Sequence, residues 1–271
     1  MTDDELQTAS DVLWTAWRSG LRVTALSEGC RPQSREDGYA IQALLEGRSA
    51  QPVFGWKIAA TSKAGQAHIN VDGPLAGRLL AERAFETGAR LTFGANHMKV
   101  AEAEFAFRMA VDLPPRSAPC TVDEVLRSVA TLHPAIEVPD SRYDDFTLVG
   151  AAQLIADNAC AHEFVLGPAA PDSWRSIDLA AHRVTGTVVR VVRGAGLSGP
   201  PLEHEGIGAN VLGDPRIALT WLVNELSQIG ATLRAGQVVT TGTCLTPLPI
   251  APSDRVNCDF GVLGSVAVSF V

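Results

Sequence analysis

The sequence predicts an α+β fold. Two patterns carry that expectation. Apolar side chains in the first fifty residues recur at helical spacing, and the later chain is a run of strand-like segments that do not alternate regularly with helices. A third observation sets the scale. A chain of 271 residues, 46% hydrophobic and 19% charged, can bury a large core and does not have the composition of a disordered one.

The elements follow in order. Thr2-x-x-Glu5 is a capping-box pattern, and Leu6, Ala9, Leu13, Ala16 and Trp17 continue it at helical spacing. Ser34-x-x-Asp37 starts a second helix carrying Ala40, Ile41, Leu44 and Leu45. Gly47 to Pro52 reads as a boundary, which divides the chain into a helical region, 1–50, and a larger region, 51–271. Strands are expected at Val53–Thr61, Val100–Met109, Ala135–Val138, Phe164–Leu166, Thr185–Arg193, Val238–Thr241, Val256–Phe260 and Ser265–Phe270, the last two joined as a hairpin by Gly261–Gly264. A helix is expected over Ala151–Asn158. A late helix is capped by Asp214, starts at Pro215, carries Ala218, Leu219, Leu222, Val223, Leu226 and Ile229, and stops at Gly230.

Charge and cysteine usage exclude several functions. Lys and Arg number 22 against 30 Asp and Glu, a net charge of −8, which argues against a nucleic-acid or anionic-membrane partner. No run approaches the ~18 apolar residues of a membrane span. The start, Met-Thr-Asp-Asp-Glu, lacks the basic region of a signal peptide. Cys30, Cys120, Cys160, Cys244 and Cys258 form no CxxC pair and are odd in number, so a reducing cytoplasm is the expected location.

Gly194-x-Gly196-x-x-Gly199 matches a dinucleotide-binding pattern, but Pro200-Pro201 follows where that fold needs a helix, so a loop is expected instead. The informative segment is Val100-Ala-Glu-Ala-Glu-Phe-Ala-Phe-Arg-Met109. In a strand, Glu102 and Glu104 share one face and Ala101, Ala103, Phe105 and Phe107 the other. Neighbouring carboxylates repel and raise each other's pKa unless a cation lies between them. A third acid, Glu137, sits in Pro134-Ala-Ile-Glu-Val-Pro139. Two readings are open here: solvated outer strand faces, or an all-oxygen site suited to Mg²⁺ or Mn²⁺ rather than Zn²⁺. Lys57, in an apolar strand, is either an outer-face lysine or a partly desolvated one with a pKa lowered toward proton transfer. The six histidines show no metal-ligand spacing, and only His97, five residues before Glu102, lies near the acidic segment. Serine-hydrolase elbows, Walker loops and zinc clusters are absent from the sequence.

Five blocks resemble the fumarylacetoacetate hydrolase superfamily, in the branch of 2-oxopent-4-enoate hydratase and 4-oxalocrotonate decarboxylase. They are Gly55-Trp-Lys-Ile-Ala-Ala-Thr-Ser62, Ala101-Glu-Ala-Glu-Phe-Ala-Phe107, Pro134-Ala-Ile-Glu-Val-Pro-Asp-Ser-Arg-Tyr143, Ile155-Ala-Asp-Asn-Ala-Cys160, and the stretch from Leu212-Gly-Asp-Pro to Asp259-Phe-Gly-Val-Leu-Gly-Ser-Val266. The resemblance implies a mixed β-roll with helices around it and a helical N-terminal region. It implies that Glu102, Glu104 and Glu137 ligate Mg²⁺ or Mn²⁺, that Lys57 is the catalytic lysine near the substrate, and that Leu75 and Cys160 line the substrate pocket. The implied activity is a metal-dependent lyase that adds water to an unsaturated 2-oxo acid in aromatic catabolism. The implied assembly is a homo-oligomer that can associate with a paralogous decarboxylase or hydratase.

Five positions depart from the hydratase pattern. Trp56 stands for a usual Arg, Ala59 for Gly, Cys160 for Ser, and Asp214 for the His of Gly-His-Pro. Leu75 falls where hydratases tend to be acidic and decarboxylases apolar. Decarboxylation of an unsaturated 2-oxo diacid is therefore the alternative activity, and a non-catalytic metal-binding paralogue a third reading.

Overall fold

The computed structural model describes residues 1–192, 196–197 and 199–271. Its helices are α1 (Asp3–Ser19), α2 (Arg35–Ala43), α3 (Lys63–His68), α4 (Val122–Arg127), α5 (Gly150–Ala156) and α6 (Pro215–Gln228). Its strands are β1 (Gly55–Ala59), β2 (Leu75–Leu79), β3 (Ala84–Glu86), β4 (Ala89–Leu91), β5 (Val100–Met109), β6 (Val129–Val138), β7 (Glu163–Leu166) and β8 (Arg183–Val189). They continue as β9 (Val191–Val192), β10 (Gly196–Leu197), β11 (Leu202–Ile207), β12 (Val238–Thr243), β13 (Leu248–Pro249), β14 (Arg255–Asp259) and β15 (Ser265–Phe270).

Two mixed sheets form the body, so the α+β expectation holds. One runs β2-β1-β12-β5-β6-β7-β3, with β13 paired to β5. The other runs β11-β8-β14-β15-β4. Both are mainly antiparallel, with β1–β12, β3–β7 and β4–β15 parallel. The sheets bury their facing sides against each other. Phe105 from β5 meets Phe260 edge-on, with ring centroids 5.1 Å apart, and both rings have no exposed surface.

The caps legible in sequence are formed. Glu5 N donates to Thr2 Oγ1 and Thr2 N to Glu5 Oε2, closing both halves of the capping box of α1. Asp214 caps α6 through Arg216 N, and Gly230, at φ +74°, follows its end in left-handed conformation. Both N-terminal helices pack on the rest of the chain. Ala9, Leu13 and Ile41 share a core with Tyr143 and Ala156, and Gln42 Nε2 donates to Ala76 O and Ile155 O.

Several expectations need correcting. The helix expected over Ala151–Asn158 ends at Ala156, because Asn158, Ala159 and Cys160 all take positive φ (55°, 50° and 60°). The outer-face reading of β5 fails, because Ala103, Phe105 and Phe107 on one side and Glu104 on the other are all fully buried. Strand β6 starts six residues earlier than expected, at Val129. Of the Gly194–Gly199 motif and the end of the strand expected over Thr185–Arg193, residues 193–195 and 198 lie outside the described residues. Gly196–Leu197 pairs with Val191–Val192, and a strand, β11, follows the two prolines.

Candidate active site

Register brings the three glutamates together. Glu102 on β5 lies directly opposite Glu137 on β6, so their side chains share a face, and Glu104 lies on that face two residues along. Each offers an oxygen within 4.8 Å of the others'. Glu104 and Glu137 are fully buried and Glu102 is half-buried.

A bulge in β12 builds the wall behind Glu104. Thr240 pairs with Ala106 but Thr243 with Glu104, so β12 spends one extra residue over this stretch. The kink aims two donors at one oxygen: Thr240 Oγ1 at 2.5 Å and Gly242 N at 2.7 Å from Glu104 Oε2. Gly242 sits at φ +97°, and a β-carbon there would fall 2.1 Å from Thr61 Oγ1, so only glycine fits. Glu104 Oε1 and both oxygens of Glu137 are buried and receive no well-directed hydrogen bond, Glu137 Oε2 meeting only the Lys57 ammonium as an ion pair at 3.1 Å.

That arrangement is electrostatically costly as it stands. Burial and the neighbouring Glu102 carboxylate push Glu104 up to about 7. Burial also raises Glu102, and burial with repulsion from Glu102 and Glu104 lifts Glu137 well above the carboxylate range. Three convergent carboxylates with undonated oxygens form an all-oxygen donor set, which suits a hard divalent cation.

Lys57 lies at the edge of this cluster. Its Nζ is 3.1 Å from Glu137 Oε2 and donates to Ala159 O at 3.1 Å. Lys57 is buried, so the outer-face reading fails, and the lowered pKa of the alternative reading is not found either. Burial alone would lower the ammonium, but the carboxylates of Glu137, Glu102 and Glu104 outweigh it and hold it above its ordinary value.

The Ala159 carbonyl is positioned by the left-handed run 158–160, a conformation that costs non-glycine residues roughly 1–2 kcal/mol each. Two clamps hold it. Asn158 hydrogen-bonds the backbone of β2 twice, accepting from Arg78 N and donating to Arg78 O. Asp157 accepts from Arg142 Nε, from Arg142 N at 3.0 Å and from Ser141 Oγ at 2.7 Å, in a buried ion pair. Replacing Asp157 with Ala would strand the 2%-exposed Arg142 without its anion. Urea unfolding of Asp157→Ala is expected to show a loss of about 3–5 kcal/mol, and an unchanged midpoint would refute the clamp.

A cavity of about 610 Å³ opens from Lys57 and Glu102. Leu75 and Cys160 both line it. Leu75 is opposite Ala59 in the β1–β2 register, hence on the face of β1 that carries Lys57. Burial pushes the Cys160 thiol up to about 12, so it lines the wall as a neutral group. Of the five departures, Ala59, Leu75 and Cys160 reach the cavity and two do not. Trp56 points to the other face of β1, where the Arg78 guanidinium stacks 4.5 Å from its ring, and Asp214 is occupied as a helix cap. A larger cleft of about 1070 Å³ lies on that Trp56 side and is not lined by Glu102, Glu104 or Glu137. His97 is exposed and outside the cavity, with its backbone N–H donating to Asp140 Oδ1. Thr240, Gly242 and Asp157 support the site and carry no motif of their own in the sequence. The only advance signal for Asp157 is its place in the Asp-Asn-Ala-Cys block.

The chain is similar to known proteins in sequence and in fold. No family model matches the chain. It is 31% identical to the 2-keto-4-pentenoate hydratase of Paraburkholderia xenovorans over 275 residues, covering 100% of this chain and 96% of the relative. It is 30% identical to the 2-hydroxyhexa-2,4-dienoate hydratase of Comamonas testosteroni over 276 residues, covering 100% and 99%. Among solved structures, the 4-oxalocrotonate decarboxylase of Pseudomonas putida, complexed with magnesium and adipate, superposes with a TM-score of 0.86 at 24% identity, covering 100% of this chain and 99% of that one. At 30–31% identity to hydratases over its whole length, the chain belongs to the fumarylacetoacetate hydrolase superfamily, in the branch of the 2-keto-4-pentenoate hydratases.

Proposed function

We propose that this protein is a divalent-metal-dependent hydro-lyase that adds water to an unsaturated 2-oxo acid, presented as its 2-hydroxydienoic tautomer, in the breakdown of aromatic compounds. The observation that carries the reading is the buried carboxylate cluster with Lys57 beside it at the inner end of a cavity. The names of the full-length relatives support it.

Glu102, Glu104 and Glu137 would hold Mg²⁺ or Mn²⁺. Bound there, such an ion would supply Lewis-acid stabilisation of the negative charge that develops on the 2-oxo acid head of the substrate. Thr240 and Gly242 fix one oxygen of Glu104 and leave the other for binding. Lys57 is tethered by Ala159 O and attracted by Glu137, and a further N–H remains for the 2-oxygen of the substrate. The reaction protonates the dienol at its far carbon and adds water at C4 of the conjugated ketone so formed. Lys57 steadies the charge on the 2-oxygen through both steps. Leu75 and Cys160 shape the wall against which the chain of the substrate lies.

Decarboxylation of an unsaturated 2-oxo diacid is the second reading. Leu75, apolar where the resemblance gives hydratases an acid, favours it. An ultraviolet turnover assay with Mg²⁺ separates the two. Loss of 2-hydroxypenta-2,4-dienoate without CO₂ is the expected result. Release of CO₂ from 2-oxohex-3-enedioate would transfer the assignment to the decarboxylase.

A further inference from the structure

We propose that the substrate is a monocarboxylic 2-oxo acid whose chain beyond C4 is an apolar alkyl or aryl tail, and that this cavity rejects a second carboxylate. The inference rests on the 2-oxo acid reading above and narrows it. Away from Glu102 and Lys57, the wall is made by Ile69, Leu75, Met98, Phe146, Leu154 and Leu245. Leu75 and Leu154 have no exposed surface and Leu245 very little. Among the described lining residues there is no arginine, and Lys57 is the one lysine. That lysine is committed to Glu137 and Ala159 O at the carboxylate cluster.

Some of the polar groups around the cavity already serve the fold. Asn210 Nδ2 donates to Cys244 O, Thr243 Oγ1 donates to Leu245 O, and Ser62 Oγ accepts from Gly65 N to cap α3. His68 is exposed at the mouth, edge-on to Phe146 with ring centroids 6.0 Å apart. A carboxylate at the far end of a diacid would leave water here with no guanidinium or second ammonium to replace it, meeting only scattered hydroxyls and the exposed His68 at the mouth. An alkyl tail would instead bury its surface against the six apolar side chains. The cavity falls in the usual range of about 300–1,000 Å³ for small-molecule sites and has room beyond a five-carbon acid.

The test is calorimetric titration of the wild-type protein at saturating Mg²⁺ with three saturated, unreactive analogues: 2-oxopentanoate, 2-oxooctanoate and 2-oxooctanedioate. Each added methylene is expected to tighten binding up to about fourfold, the equivalent of roughly 0.8 kcal/mol. 2-Oxooctanoate should therefore bind at least about tenfold more tightly than 2-oxopentanoate. The eight-carbon diacid should bind about 100-fold or more weakly than the monoacid of equal length. Equal or tighter binding of the diacid would overturn the tail inference and leave the 2-oxo acid reading intact. Failure of all three to bind would overturn that reading as well. In Phe146→Arg, which puts a cation in the half-buried outer wall, the preference for monoacid over diacid should shrink at least about tenfold. An unchanged ratio there would show that the tail does not pass Phe146.

Discussion

Glu104→Gln should lower divalent-cation affinity by more than about 100-fold, and turnover with it, because it removes a ligand charge from the centre of the cluster. The glutamine oxygen can still accept from Thr240 Oγ1 and Gly242 N, so the fold should survive. The same change should stabilise the metal-free protein. Burial and repulsion raise Glu104 to about 7 in the folded state from an ordinary 4.5. Below about pH 4.5 the carboxyl is protonated in both folded and unfolded states and imposes no penalty. As pH rises from there through about 7, the unfolded state releases its proton first and folding loses stability, on the order of a few kcal/mol. Without metal at pH 8, then, the variant should melt above wild type. With saturating Mg²⁺ the order should reverse, because wild type gains more from the bound ion than the variant with its weakened affinity. Thermal scans of both proteins with Mg²⁺ and with chelator would show the crossing, and parallel curves would refute the metal-site assignment.

Lys57→Ala should cut turnover by ~100-fold or more while changing Mg²⁺ affinity by less than about tenfold. The distinction follows from position. Lys57 reaches the cavity and the edge of the cluster but carries no lone pair for a cation in its charged form. Its loss should fall on kcat more than on KM, since the charge it steadies grows during reaction. In the metal-free state, removing Lys57 leaves Glu137 buried without its neighbouring ammonium, so a loss of about 3–5 kcal/mol is expected there and should be largely recovered by Mg²⁺. A Lys57→Ala protein with full turnover would end this role.

Much of the architecture was legible where local rules act. The capping box at Thr2 and Glu5, the Asp214-Pro215 start of α6, and strands β5 and β15 with both their ends follow from caps and period-2 patterns. Strand β2 was not, because Leu-Ala-Gly-Arg-Leu carries little β-propensity and is held by pairing to β1 and by Asn158. Strand β11 was hidden by its charged alternation, Leu-Glu-His-Glu-Gly-Ile. Helix α4 did carry a signal, the capping box of Thr121 and Glu124, but over only six residues.

At the site, residue types and the shared face of Glu102 and Glu104 could be read directly. Their meeting with Glu137 depends on the β5–β6 register, which no local pattern specifies. The pKa direction of Lys57 could not be read either. An apolar strand suggested a lowered value, whereas the carboxylates that reverse it come from β5 and β6. The left-handed turn at 158–160 reads as a helix end in sequence and acquires its shape from Asp157 and Arg142.

The most direct test of the account is calorimetric titration of oxalate, a mimic of the 2-oxo acid head, into the wild-type protein with Mg²⁺ and again with chelator. Saturable binding is expected in the first case and none in the second. Binding of equal strength without the ion would contradict it, because the carboxylate cluster would then have no part in holding the substrate.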